Sequence, residues 1–192
     1  MKSIIALFGI IGFLGFQAFA ETKEISNNNS FEEGKSSVPS GWIVNDFYKR
    51  SNKSGTMQIL SESAQDGSKC ILIKNDSKQV FELYGNQIAA VPGDVIRMSV
   101  YVKGKGSFKL SVYLYNGKNL WLDTVYPKSV KIEGTDWEKK DFEIILSNKE
   151  YKDKGTVAMI RPAIVVDADS EVCFDNFKGQ IEKVTAASND KK

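Results

Sequence analysis

The 192-residue chain contains no histidine and only two cysteines. Without histidine there is no Ser-His-Asp or Cys-His relay, and no imidazole to hold zinc. The two cysteines, Cys70 and Cys173, stand far apart with no C-x-x-C spacing, which excludes a thiolate metal knuckle. An excess of either charge is missing too. Lys and Arg number 26 against 24 Asp and Glu, a formal net charge of +2. The basic residues are spread along the chain, so neither nucleic acid nor an anionic membrane surface is an expected partner. No stretch sustains a 3.6-residue apolar period, so helices are not expected. Beyond the first twenty residues there is no long apolar run, so no membrane insertion is expected. No G-x-S-x-G, P-loop or G-x-G-x-x-G site occurs in a strand–turn–helix setting. A glycosidase needs two carboxylates flanking one bond. The acids Glu62, Asp66, Asp153 and Asp169 fall instead in turns and at strand edges. These absences point away from an enzyme.

What is present begins with a leader. Lys2 precedes an apolar run from Ile4 to Phe16, and Ala18-Phe19-Ala20 supplies the small residues a signal peptidase reads. The expectation is a signal peptide over 1–20, cleaved on export to the periplasm or the medium. A polar lead over 21–28, one domain over 29–184 and a disordered tail over 185–192 would follow. Disulfides persist in that environment. Pairing of Cys70 with Cys173 is therefore expected, with two buried free thiols as the alternative; a bridge would contribute about 3–5 kcal/mol. Glycosylation sequons begin at Asn28, Asn52 and Asn75.

Short β-rich runs recur between turn signals: Asp66-Gly67, Pro92-Gly93-Asp94, Gly104-Lys105-Gly106, Asn116-Gly117, Gly134-Thr135-Asp136 and Lys154-Gly155. Many short strands at this spacing predict an all-β sandwich or barrel. Two strands are especially legible. Ile96, Met98, Val100 and Val102 alternate with Arg97, Ser99, Tyr101 and Lys103. Phe108, Leu110, Val112 and Leu114 alternate with Lys109, Ser111, Tyr113 and Tyr115. Read as a hairpin turning at Lys105, they would place Tyr101 by Lys109, Ser99 by Ser111 and Arg97 by Tyr113. One open sheet face would then be unusually aromatic.

The two ends of the chain add a further signal. Asn29-Ser30-Phe31-Glu32-Glu33-Gly34 with Pro39-Ser40-Gly41-Trp42, and Glu171-Val172-Cys173-Phe174-Asp175-Asn176-Phe177, resemble the first and last strands of carbohydrate-binding modules of families 4, 9 and 22. Val91-Pro92-Gly93-Asp94 and Gly134-Thr135-Asp136-Trp137 fit the same pattern in order and spacing. The resemblance implies a galactose-binding-like jelly roll of two antiparallel sheets whose chain ends meet. It also implies a structural calcium ion held by Glu32 and Asp175 with the backbone oxygens of Ser30 and Lys69. Calcium takes six to eight hard oxygen ligands, so carboxylates and carbonyls suit it. Trp42 and Trp137 match positions of packing aromatics.

By that resemblance the ligand cleft crosses the concave sheet face. Flat aromatic faces stack on pyranose rings, and fixed polar groups bond the hydroxyls. The candidates are Tyr113, Trp121, Arg97 and Tyr84, with Tyr101, Tyr115, Gln87 and Arg161. The expected activity is non-catalytic binding of a poly- or oligosaccharide by a secreted monomer. The alternative is a jelly roll that uses the same face for protein–protein contact.

Overall fold

The computed structural model describes residues 21–25, 28–34, 38–45 and 55–183; the leader over 1–20 and the tail over 185–192 lie outside the described residues. Strands are the only regular elements among the described residues: β1 Thr22–Glu24, β2 Ile43–Val44, β3 Gly55–Leu60, β4 Cys70–Asn75, β5 Phe81–Tyr84, β6 Ile88–Ala89, β7 Val95–Tyr115, β8 Trp121–Val125, β9 Val130–Ile145, β10 Met159–Val166 and β11 Ser170–Glu182. They form one curled antiparallel sheet in the order β2-β5-β10-β7-β11-β4-β3, with β1 on β11, β6 on β10, and β8 and β9 on β7.

The 21-residue strand β7 organises this sheet. Its first half lies between β9 and β11, its second half between β8 and β10. Pairing with β9 continues through the glycines, Gly104 opposite Gly134, Lys105 opposite Glu133 and Gly106 opposite Ile132. The hairpin expected at Lys105 is therefore not formed. Gly104 and Gly106 bend one strand instead of reversing it, at φ of +127° and +129°. Both also sit where β11 crosses closely. A Cβ on Gly104 would stand 2.3 Å from the carbonyl oxygen of Glu171, and one on Gly106 would stand 2.3 Å from Ser170 Oγ. Positive φ and close approach each select glycine.

The alternation along β7 survives the bend, because even-numbered residues remain inward on both sides of it. Ile96, Met98, Val100 and Val102 join Phe108, Leu110, Val112 and Leu114 in one buried cluster. Phe108 stacks edge-on against Phe142 of β9 and Phe174 of β11, at 5.7 and 5.1 Å between centroids. The odd-numbered residues of the two arms point away from that shared core. They belong to different outer surfaces, and this separates residues that the hairpin would have gathered.

The chain ends do meet. β1 pairs with the end of β11, and a bulge in β11 between Asp175 and Lys178 lets the Phe177 N–H donate to the Asn29 carbonyl at 2.7 Å. Trp42, 4% exposed, packs between Phe31 and Phe177 as expected of a core aromatic. Trp137 covers the other arm, donating to the Ser63 carbonyl beneath the Lys103 ammonium. The sequon asparagine Asn75 is fully buried, its amide committed to the carbonyls of Gln79, Val166 and Asp167.

Candidate functional site

The outer face of the β5-β10-β7-β8 arm holds a second, smaller cluster of Tyr113, Ala163 and Val165, with Tyr84, Tyr115 and Val80 against it. Register explains why the rings gather there. Ala163 lies opposite Tyr84 on one side and Ser111 on the other. These two small side chains leave room above the strands, and Tyr84 leans over to meet Tyr113 edge-to-face at 4.7 Å. Tyr126, just past β8, closes on Tyr113 from the other side at 6.3 Å.

Beneath these rings lies Glu82, which the sequence reading missed. It is 4% exposed and its carboxylate accepts four hydrogen bonds. Tyr113 and Tyr126 donate to Oε1, while Tyr84 at 2.9 Å and the Asn45 amide at 2.6 Å donate to Oε2. A carboxylate has about four acceptor positions, so this one is saturated. Burial, with hydrogen bonding to Glu82, pushes the Tyr113 hydroxyl far above the usual phenol range; burial also raises Tyr84 and Tyr126. A signal for Glu82 was available: in Phe81-Glu82-Leu83-Tyr84 the acid shares the parity of the tyrosine.

Arg161 lies opposite Tyr113 in the register. Its guanidinium sits 5.9 Å from the Tyr84 ring centroid and 5.7 Å from that of Tyr115. Trp121, opposite Tyr115 and 52% exposed, offers the largest open ring, with Tyr126 at 50%. The Lys154 ammonium stands 5.6 Å from the Trp121 centroid. Gln87 lies at the rim, donating to Asn119 Oδ1. The structure thus brings together Tyr84, Tyr113, Tyr115, Trp121 and Arg161, with Gln87 at the edge.

Arg97 and Tyr101 do not belong to this group. Both lie on the first half of β7, where Arg97 is paired with Glu143 and Glu182, and Tyr101 stands opposite Lys139 and Asp175. Arg97 does line a concavity of about 780 Å³, together with Ser99, Lys139, Asp141, Glu143 and Lys178. That hollow has no aromatic platform beyond Phe142, a core residue. Ring stacking on a sugar would therefore favour the tyrosine face. Tyr113 itself is 8% exposed, so it supports the face and is not an open platform.

Glu32 and Asp175 flank one loop, as the resemblance implies, but the loop turns amides toward them. The N–H groups of Ser68 and Lys69 donate to Glu32 Oε1, and Ser68 Oγ donates to Oε2. The N–H groups of Gln65 and Asp66 donate to Asp175 Oδ2. The Lys69 ammonium donates to the Glu32 carbonyl at 2.6 Å. Burial pushes the Glu32 carboxyl up, but these hydrogen bonds outweigh it and hold it low; burial keeps Asp175 raised. Among the described residues no group of three or more acids, cysteines or histidines converges as for a metal. Amide donors and an ammonium are not the oxygen ligands a calcium ion takes, and the residues so placed make a hydrogen-bonded clasp.

Cys70 and Cys173 are two free cysteines, not the expected disulfide. Cys173 lies opposite Leu72, which makes Cys70 its diagonal neighbour. Diagonal residues are about 7–8 Å apart, beyond the usual disulfide Cα span of about 4.4–6.8 Å. The Cys70 thiol reaches the Glu62 carbonyl at 4.0 Å, and the two neighbouring thiols shift each other, Cys70 upward and Cys173 downward.

No protein-family model matches the chain, and no curated protein matches it. Solved structures do. The family 22 xylan-binding domain of Paenibacillus barcinonensis Xyn10C matches with a TM-score of 0.55 at 16% identity, over 82% of this chain and 94% of that one. The family 22 and catalytic modules of Clostridium thermocellum Xyn10B, complexed with xylohexaose, match at 0.55 and 18%, over 87% of this chain and 30% of that one. A cyclase from Fischerella sp. TAU matches at 0.60 and 14%, over 86% and 100%. The chain therefore has the jelly-roll fold of these carbohydrate-binding modules. Cyclases share that fold, so it does not by itself separate binding from catalysis.

Proposed function

We propose that this protein is an exported, non-catalytic carbohydrate-binding jelly roll whose two sheet halves pack as a sandwich, and which holds a poly- or oligosaccharide on the tyrosine face. The observation that carries the reading is the buried Glu82 carboxylate, anchoring three tyrosine hydroxyls beside the open rings of Trp121 and Tyr126. Anchored rings have already lost the rotamer freedom that binding would otherwise remove. Trp121, Tyr126 and Tyr115 supply stacking surfaces; Arg161 and Gln87 supply directed donors.

The same carboxylate argues against catalysis. A general acid or base must reach the reacting proton, and all four acceptor positions of Glu82 face protein donors. Structural neighbours named as xylan-binding make xylan the first polysaccharide to try.

Affinity electrophoresis of the purified protein through gels holding xylan, β-glucan, mannan or pectin tests the proposal. Retardation in at least one gel is expected. Trp121→Ala should weaken binding by about tenfold, on the scale of 1–3 kcal/mol for an aromatic stacking contact; Arg97→Ala should leave it unchanged. A folded protein that migrates freely in every gel would transfer the face to protein–protein contact, with exposed Leu120, Trp121 and Tyr126 as its apolar part.

A further inference from the structure

Charges on the tyrosine face are unevenly matched. Lys109 is tied to Asp167 at 2.8 Å, and Lys149 faces Asp123 at 3.5 Å. Arg161 is different. Among the described residues it has no ion pair and no hydrogen bond, and its buried Nε has no acceptor. The Tyr84 and Tyr115 rings flank the guanidinium and hold it in place without neutralising it. A ring face attracts a cation but offers no in-plane acceptor for N–H groups. The buried acid of this face does not serve, because Glu82 is filled by Tyr84, Tyr113, Tyr126 and Asn45. Lys154 beside Trp121 repeats the pattern; among the described residues its ammonium meets only the Trp121 carbonyl, at 3.4 Å, and the ring.

We infer that Arg161 is a receptor for an oxyanion carried on a sugar ring, so that the ligand of this face is an acidic glycan. The inference rests on the carbohydrate-binding reading and names its substrate class. A planar guanidinium presents paired donors that match a carboxylate or a sulfate ester in a two-point bond. Tyr84 and Tyr115 hold that plane ready, so little side-chain freedom is lost when the anion arrives. Trp121, two strands away in the order β10-β7-β8, stacks the ring of a neighbouring residue, and Lys154 adds a second positive charge at that end.

Calorimetry on the intact protein tests this with matched polymers: polygalacturonate and glucuronoxylan against their carboxyl-reduced forms, and dextran sulfate against dextran. The expected result is at least about tenfold weaker binding when the anion is removed. Arg161→Gln should abolish that difference and Arg161→Lys should keep part of it, both variants retaining the parent's near-ultraviolet circular dichroism. Preference confined to the uronates identifies a carboxylate; preference confined to dextran sulfate identifies a sulfate ester. Equal binding of acidic and reduced polymers would overturn the acidic-glycan inference while leaving the sugar-binding reading intact. Absence of binding to every polymer would overturn both.

Discussion

At the scale of single residues, Glu82 is the position on which the site turns. It is buried, yet among the described residues it meets no cation; three phenols and one amide satisfy it. Glu82→Gln keeps the volume and replaces one acceptor oxygen by an NH2 group. Whichever way the new amide turns, it sets a donor against Asn45 or against the Tyr113–Tyr126 pair. Losing a hydrogen bond to a charged group and leaving a buried donor unpaired costs about 1–3 kcal/mol. Urea denaturation should record that loss, and glycan affinity should fall with it because Tyr84 and Tyr126 lose their anchor. An unchanged midpoint would mean the carboxylate does not organise the face. The partners of Glu82 were legible individually, since Tyr84 and Tyr113 carry outward parity in alternating strands. Their convergence was not, because it depends on β5 and β10 pairing across some 80 residues of sequence.

At the scale of elements, β7 shows where local reading stops. Gly104-Lys105-Gly106 between two alternating runs is a good hairpin signal, and both a hairpin and a bend leave the even-numbered residues inward. Periodicity could not choose between them. The choice is made by β11, whose backbone at Ser170 and Glu171 lies too close for any side chain at Gly104 or Gly106. Gly106→Ala should therefore destabilise by about 1–3 kcal/mol from the strained φ alone, with steric overlap adding to it. Gly117→Ala, whose new methyl would find its nearest neighbour at 4.0 Å, should stay within about 0.5 kcal/mol. Matching urea midpoints for the two variants would refute the bend as a constraint. The same corner carries an acid-sensitive pin. Lys109 and the Ser107 hydroxyl hold Asp167 at 2.8 and 2.7 Å, and Lys109 also reaches Ser129. Burial raises this carboxyl, but the hydrogen bonds from Lys109, Ser129 and Ser107 outweigh it and hold it below its ordinary value. A carboxyl depressed in the folded state adds stability in full above its unfolded value, about pH 4, and loses it as pH falls through the lower folded value. Asp167→Asn should be less stable than the parent at neutral pH, and the gap should close in acid. A gap independent of pH would assign the loss to shape instead of charge.

At the scale of the whole molecule, the question is what fastens the two ends. That they meet was implied by the family resemblance, carried by the phenylalanines and acids near the two ends, and Phe31, Trp42 and Phe177 pack there as a unit. How they are fastened was not legible, because a carboxylate reads alike whether it faces calcium or an amide. The answer lies in the loop over 65–69, which presents N–H groups to Glu32 and Asp175. Gly67 allows the approach: its φ is +69°, and a Cβ there would lie 2.3 Å from Glu32 Oε1. The Lys69 ammonium on the Glu32 carbonyl supplies the positive charge that a metal would bring. A structural ion present at a thousand times its Kd would add about 4 kcal/mol to stability. At about 2–4 °C per kcal/mol, its removal would lower the melting temperature by about 8 °C or more. Calorimetric melts with excess EDTA and with millimolar calcium should instead agree within about 2 °C, well inside that difference. Lys69→Met should lower the melting temperature in both conditions alike, since the ammonium is lost with or without metal. A melt raised by calcium in the parent would show that the loop can turn its carbonyls inward, and the clasp would then be a metal site.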